Sequence, residues 1–188
     1  MEQFTVLSVV SRILGRTLQE SVSEALGRDI RILFEHEEGA RDGNGALSVC
    51  FINIRRRPGD SDREYELTNE GEKFRNPPLL LRSQYLVSAW AKPPTDQELL
   101  GAALRTFLDR PYLDARGMEE EAAIGYAGVP SVDMATLSVE EHRQIAGGFG
   151  MPIAPSVLYS VDIRLQSGKS TPIKRVRERV IDYRKIEG

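Results

Sequence analysis

The sequence predicts an α/β chain of the α+β kind, with a mixed, largely antiparallel sheet flanked by helices. Three observations carry that prediction. Across residues 79–91, Leu79, Leu81, Tyr85, Val87, Ala89 and Ala91 share one parity with only Ser83 interrupting, while the other parity is mixed. That is a strand with one dry face and one partly covered face. After Pro93-Pro94, which cannot continue a ladder, Leu99, Leu100, Ala103, Leu104, Phe107 and Leu108 recur at three-and-four spacing, an apolar helical stripe for the sheet. Further on, Val157, Tyr159, Val161, Ile163 and Leu165 alternate with mostly polar residues, as in a half-buried antiparallel strand.

Taken in order, Val6, Val10, Ile13, Leu14, Leu18, Val22 and Ala25 trace an amphipathic helix that Gly27 ends. Gly15 inside it is either a modest cost in helix propensity or a point of close packing. Residues 30–34 form a short β-like run, and the charged, glycine-bearing stretch 35–45 reads as a solvated connection. Residues 47–54 (LSVCFINI) are nearly continuous in apolar side chains, which predicts an interior strand. Residues 55–76 are polar and without periodicity, and read as a long loop.

Thr95 with Glu98 three residues on has the form of a capping box, and Pro111 stops the helix that follows. Residues 113–128 are irregular and carry an acidic triplet, Glu119, Glu120 and Glu121. Residues 129–134 suit a short strand. Ser138 and Glu141 form a second capping box, and Gly147, Gly148 and Gly150 end its helix. Beyond the strand at 156–165, Gly168 and Pro172 set off a basic terminal segment. Val176, Val180 and Tyr183 there sit at helical spacing, while Ile173, Val176, Val180 and Ile181 also permit a strand. An extended arm is the expectation, giving a domain at 1–171 and an arm at 172–188.

The 188 residues suit one domain with a substantial core. A net charge of −3 argues against a general nucleic-acid binder. The single cysteine, Cys50, excludes an intrachain disulfide, and its apolar surroundings read as a buried, unreactive thiol. No apolar run is long enough for a transmembrane helix, and no secretory signal is evident, so synthesis and assembly in the cytosol are expected. His36 and His142 stand apart among charged neighbours, which gives no metal site. Asp42-Gly43-Asn44-Gly45 lacks the spacing of a calcium loop, and Gly147-Gly148-Phe149-Gly150 follows a helix where a phosphate cradle would precede one. No catalytic residue, metal ligand or cofactor-binding residue is expected. Arg55-Arg56-Arg57 is the sharpest basic run, blunted by Asp60, Asp62, Glu64 and Glu66.

The order PPLLLRSQYLVSAWA, DQELLGAALRTFLDRPYL, a Ser-x-x-Glu helix, then SVLYSVDIRL resembles the cap proteins of extracellular contractile injection systems, also called tail or sheath terminators. The most telling part runs from Leu81 to Trp90, with Leu99 to Gly101 and Asp109 to Leu113. In the short helix where relatives carry a Leu-Trp pair, this chain has Glu141-His142-Arg143-Gln144-Ile145-Ala146.

The resemblance implies a fold like that of phage tail terminators and a structural protein rather than an enzyme. It implies a ring, expected to be a hexamer, at the end of tube and sheath distal to the baseplate. There it would stop polymerisation and stabilise the extended sheath. The implied partners are its own copies, sheath subunits and inner tube subunits, with no cofactor, membrane or nucleic acid. The implied setting is a phage tail-like particle that can be released from the cell. Filament ends leave unpaired edges, which a terminator must satisfy without renewing them. The expected assembly residues are therefore Ile173, Arg175, Val176, Arg177, Arg179 and Val180 of the arm, suited to β-augmentation and carboxylate pairing. Arg55, Arg56 and Arg57 are the second candidates. Two other readings stand beside this one. One is an enzyme or small-molecule binder using Arg55 to Arg57 or Cys50, and the other is a phage-associated regulator binding nucleic acid through the arginine run.

Overall fold

The computed structural model describes residues 6–34, 45–57, 65–68, 71–75, 79–114, 129–165 and 170–172. Their order is α1 (Val6–Leu26), β1 (Arg31–Leu33), β2 (Ala46–Arg56), β3 (Tyr65–Thr68), β4 (Gly71–Arg75), β5 (Leu79–Trp90), α2 (Thr95–Asp109), β6 (Ser131–Ala135), α3 (Val139–Gly148), β7 (Ser156–Leu165) and β8 (Ser170–Pro172). Five strands form a sheet in the order β1-β2-β5-β7-β6, and β3-β4-β8 form a second sheet. Among the described pairs only β1 with β2 is parallel, so the sheet is mixed and largely antiparallel, as the patterning predicts.

The dry parity of β5 is the floor of the core. Tyr85, Val87 and Ala89 are buried with Leu47 and Val49 of β2 and with Val157, Tyr159, Val161 and Ile163 of β7. From above, α1 contributes Val6, Val9, Val10, Ile13, Leu14, Leu18 and Val22, and α2 contributes Leu99, Ala103 and Phe107. Burying each large apolar side chain stabilises the fold by about 1.5–3 kcal/mol before entropy is counted. The Tyr159 ring meets Phe107 edge-on at 4.9 Å, and its hydroxyl donates to the Ala103 carbonyl at 3.0 Å, tying β7 to α2. Gly15 is a place of close approach: a Cβ there would lie 2.5 Å from the Phe34 ring. Gly27 takes φ +63° and ends α1 in the left-handed conformation.

The second face of the sheet is more polar, yet several of its residues are buried and paired. Trp90 Nε1 donates to Ser48 Oγ at 2.8 Å, and Ser156 Oγ donates to Ser88 Oγ at 2.8 Å. Ala46, Trp90 and Ala154 form a small apolar cluster there.

Three expectations are corrected. Thr95 is not an N-cap. Pro94 holds that position, and its carbonyl already accepts from Gln97 and Glu98, so helical geometry starts early and Thr95 is the first helical residue. The Glu98 carboxylate lies 3.9 Å from Arg28 Nη2 instead of reaching back to a cap. Within the span 55–76, expected as a long loop, β2 runs through Arg56 and β3 pairs with β4 as an antiparallel hairpin. The α2 stripe is wider than its contact: Leu108 is 81% exposed, and Leu104 is exposed too. The box at Ser138 does form. Ser138 Oγ accepts from the Glu141 N–H, and the Glu141 carboxylate accepts from the Ser138 N–H at 2.9 Å.

Candidate assembly surface

The arginine run lies where β2 leaves the core, and a bulge decides which way each arginine points. Phe51 pairs with Tyr85, but Asn53 pairs with Gln84, so one residue of β2 is extra. That shift exchanges the two faces for everything after it. Arg55 stands opposite Arg82, on the face away from α1 and α2, while Arg56 stands opposite Leu81 on the face that α1 and α2 cover. The Arg57 N–H donates to the Leu80 carbonyl, and alternation returns its side chain to the face of Arg55. Three consecutive arginines therefore serve two surfaces.

On the second face they meet Asp162 of β7. Arg82 Nε and Nη2 donate to its two carboxylate oxygens at 2.7 and 2.8 Å, and Arg57 Nη1 donates to Oδ2. The Asp162 side chain keeps only 14% of its exposure. The paired guanidinium of Arg82 holds its carboxyl below the usual range, against the opposing effect of burial, with Arg57 adding to the depression. The exposed Glu141 carboxylate of α3 has its pKa lowered first by the Ser138 hydrogen bonds, with a smaller lowering from the charge of Arg55. Through Arg57 the run is partly consumed in holding β2 to β5 and β7, although all three arginines remain exposed.

The sequence reading missed Arg82 and Asp162. The signal was present as opposite charges in the interiors of two predicted neighbouring strands, where a lone charge would be costly. Ile173, Arg175, Val176, Arg177, Arg179 and Val180 lie outside the described residues. So do His36 and the acidic triplet at 119–121. Cys50 is half-buried in β2, and burial pushes its thiol pKa up, away from a reactive thiolate. Among the described residues no group of three or more His, Cys, Asp or Glu is placed to hold a metal ion. No helix among them is long and apolar enough to cross a membrane.

Two surface grooves lie at the two edges of the five-stranded sheet. Beside β1, an open groove of about 660 Å³ runs along α1 past Arg12, Arg16, Ser23 and Phe34. Beside β6, a groove of about 490 Å³ is lined by Leu104, Phe107, Leu108, Pro111, Met134 and Tyr159. The first groove carries both signs of charge, with Glu20 and Asp29 beside Arg12 and Arg16, and the second is mainly apolar.

The profile of the Pvc16 N-terminal domain matches residues 9–178. In fold, the chain is similar to a solved PVC sheath/tube terminator of an extracellular contractile injection system in its extended state. The TM-score is 0.65 at 14% identity, over 95% of this chain and 64% of that one. It is similar also to the tube terminating cap of the anti-feeding prophage, with a TM-score of 0.64 at 14% identity, over 93% of this chain and 60% of that one. The chain spans less than two thirds of the length of either structure. No curated protein matches its sequence.

Proposed function

The chain belongs to the Pvc16 N-terminal domain family, and on that footing we propose that it is a structural cap of a contractile injection system. It assembles as a ring of copies, six by expectation, on the end of inner tube and sheath distal to the baseplate. It ends polymerisation there and holds the last sheath ring extended. It works by presenting surfaces, without catalysis or cofactor, and travels as part of the particle it closes.

The observation that carries this reading is the likeness in fold, along 95% of the chain, to a sheath/tube terminator. The architecture supports it. A five-stranded sheet with α1 and α2 on one face leaves β1 and β6 as outer strands, and these differ in character. Unlike edges suit a heterologous contact, in which one copy's edge meets a different surface of the next and the series closes on itself. A closed ring satisfies the open strands of a filament end without offering the same surface again. The division of Arg55, Arg56 and Arg57 between two faces weakens the nucleic-acid reading, which needs a common basic surface.

The test is the mass of the full chain in solution together with class averages of the negatively stained protein. A ring with a central lumen is expected. A monomer at every concentration tried, binding neither tube nor sheath subunits, would overturn the reading.

A further inference from the structure

We propose that the two ends of the five-stranded sheet meet between copies: β1 of one chain adds to the open edge of β6 of the next, whose Leu104 and Leu108 enter the groove beside α1 of the first. The proposal rests on the ring reading above and names the contact that closes the ring. It is separate from the contact expected of residues 173–188, and assembly draws on both.

The two outer strands leave open edges of the same length. β1 has three residues, Arg31–Leu33, and among the described residues it pairs on one side only, with β2. On β6 the first residues are covered, since Tyr112 bridges Ser131 and the Val132 N–H donates to the Pro111 carbonyl. That bond points away from β7, so the period of two turns the Met134 N–H and C=O away from β7 as well. Among the described residues no strand lies beside them, and the open part of the edge is residues 133–135.

Direction and faces agree. β1 is parallel to β2, and three antiparallel pairings, β2 with β5, β5 with β7 and β7 with β6, lie between β2 and β6. β1 and β6 therefore run in opposite directions, and a neighbour set sideways along the sheet brings its β1 to β6 antiparallel. Ile32 stands level with Leu47, on the side that α1 and α2 cover, while Arg31 and Leu33 take the other side. Met134 stands level with Tyr159 on the covered side, while Asp133 and Ala135 take the other. Three residues laid against three, with the covered sides in common, set Ile32 against Met134, Arg31 against Ala135 and Leu33 against Asp133. Arg31 is then diagonal to Asp133, within reach of a long side chain. Leu33 stays on the small apolar cluster of its own chain, with Ala46, Trp90 and Ala154.

The covered side supplies a ridge and a hollow. Leu108 is 81% exposed, Met134 is 67% exposed, and Leu104 is exposed too, so the apolar stripe of α2 continues past its own domain. At the other end of the sheet, the groove beside α1 has an apolar floor of Gly15, Ile32 and Phe34. Its rim carries both signs of charge, and Arg16 is already paired with Glu20 at 2.9 Å, so the floor decides the contact. Ridge and hollow on opposite ends of one chain are the two different surfaces that a heterologous ring requires. Two β6 edges meeting each other would set Leu108 against Leu108 and stop at a dimer.

The experiment mixes full-length Arg31→Cys protein with full-length Ala135→Cys protein, both carrying Cys50→Ser, and oxidises them mildly. Dimers joining position 31 of one chain to position 135 of another are expected, at least about tenfold faster than dimers of the Arg31→Cys and Gln97→Cys pair. A chain carrying both Arg31→Cys and Ala135→Cys should give covalent multimers up to the whole ring. In parallel, Leu108→Glu, which alters an exposed side chain, should raise the concentration needed for ring formation at least about tenfold while the circular dichroism of the fold is kept. Rings that form without the 31–135 crosslink, or that tolerate Leu108→Glu, would overturn the edge pairing and leave the cap reading standing. A wild-type chain that forms no ring would overturn the edge pairing too, and would overturn the cap reading with it only if it also bound no tube or sheath subunit.

Discussion

Asp162 accepts from two guanidinium groups, and through its carboxylate β2, β5 and β7 meet by charge. Because its folded pKa lies below the unfolded value of about 3.9, its contribution is fully present above that value. The contribution is lost as pH falls through the lower folded pKa. Asp162→Asn should therefore lower stability at neutral pH by on the order of 1–2 kcal/mol, discounted because Arg82 and Arg57 are about half exposed. In urea titrations the gap between wild type and variant should close on acidification below about pH 4. A gap that stays constant down to pH 2 would mean that Asp162 is not held as described. Cys50 gives a second check at this scale: its raised pKa predicts slow alkylation in the native protein at pH 8 and fast alkylation once unfolded. At this scale the sequence was only partly legible. It marked Arg55, Arg56 and Arg57 as neighbours, but which face each takes depends on the bulge after Phe51, which leaves no trace in a hydrophobic pattern.

The two capping boxes read from the sequence look alike, yet only Ser138 makes one. Ser138→Ala should cost about 1 kcal/mol in chemical denaturation, whereas Thr95→Ala should stay within a few tenths. Equal losses at the two positions would contradict the assigned helix start. Tyr159→Phe tests the joint between β7 and α2. Removing the hydroxyl that reaches Ala103 should cost about 1 kcal/mol with the ring packing on Phe107 kept. Long elements were readable because burial imposes a period: β5, β7, α1 and α2 all sit where alternation or three-and-four spacing put them. The β3–β4 hairpin was not, because strands of four and five residues rich in charge carry too few apolar positions to set a period. Leu104 and Leu108 were read as core because a stripe shows that a helix has an apolar face, not how much of that face its own domain covers.

For the whole molecule, the arm and the domain are expected to separate. Removing residues 173–188 should leave a folded domain with unchanged thermal stability that no longer forms rings, read by solution mass. Changing Arg175, Arg177 and Arg179 together to Glu should weaken assembly most at low salt, where screening is least. A truncated chain that still assembles would shift attention to the exposed arginines at the end of β2. Family and fold were legible from the order of the segments, but how copies meet was not, since an edge strand and a buried strand of this sheet carry the same kind of apolar residues. In the proposed function this chain closes one end of a tube and sheath. That closure is tested most directly by locating gold-labelled protein on assembled particles in electron micrographs. One label cluster per particle is expected, at the end opposite the baseplate, with particles of irregular length when the protein is left out. Label spread along the sheath, or particles of normal length and extended sheath without it, would contradict the claim.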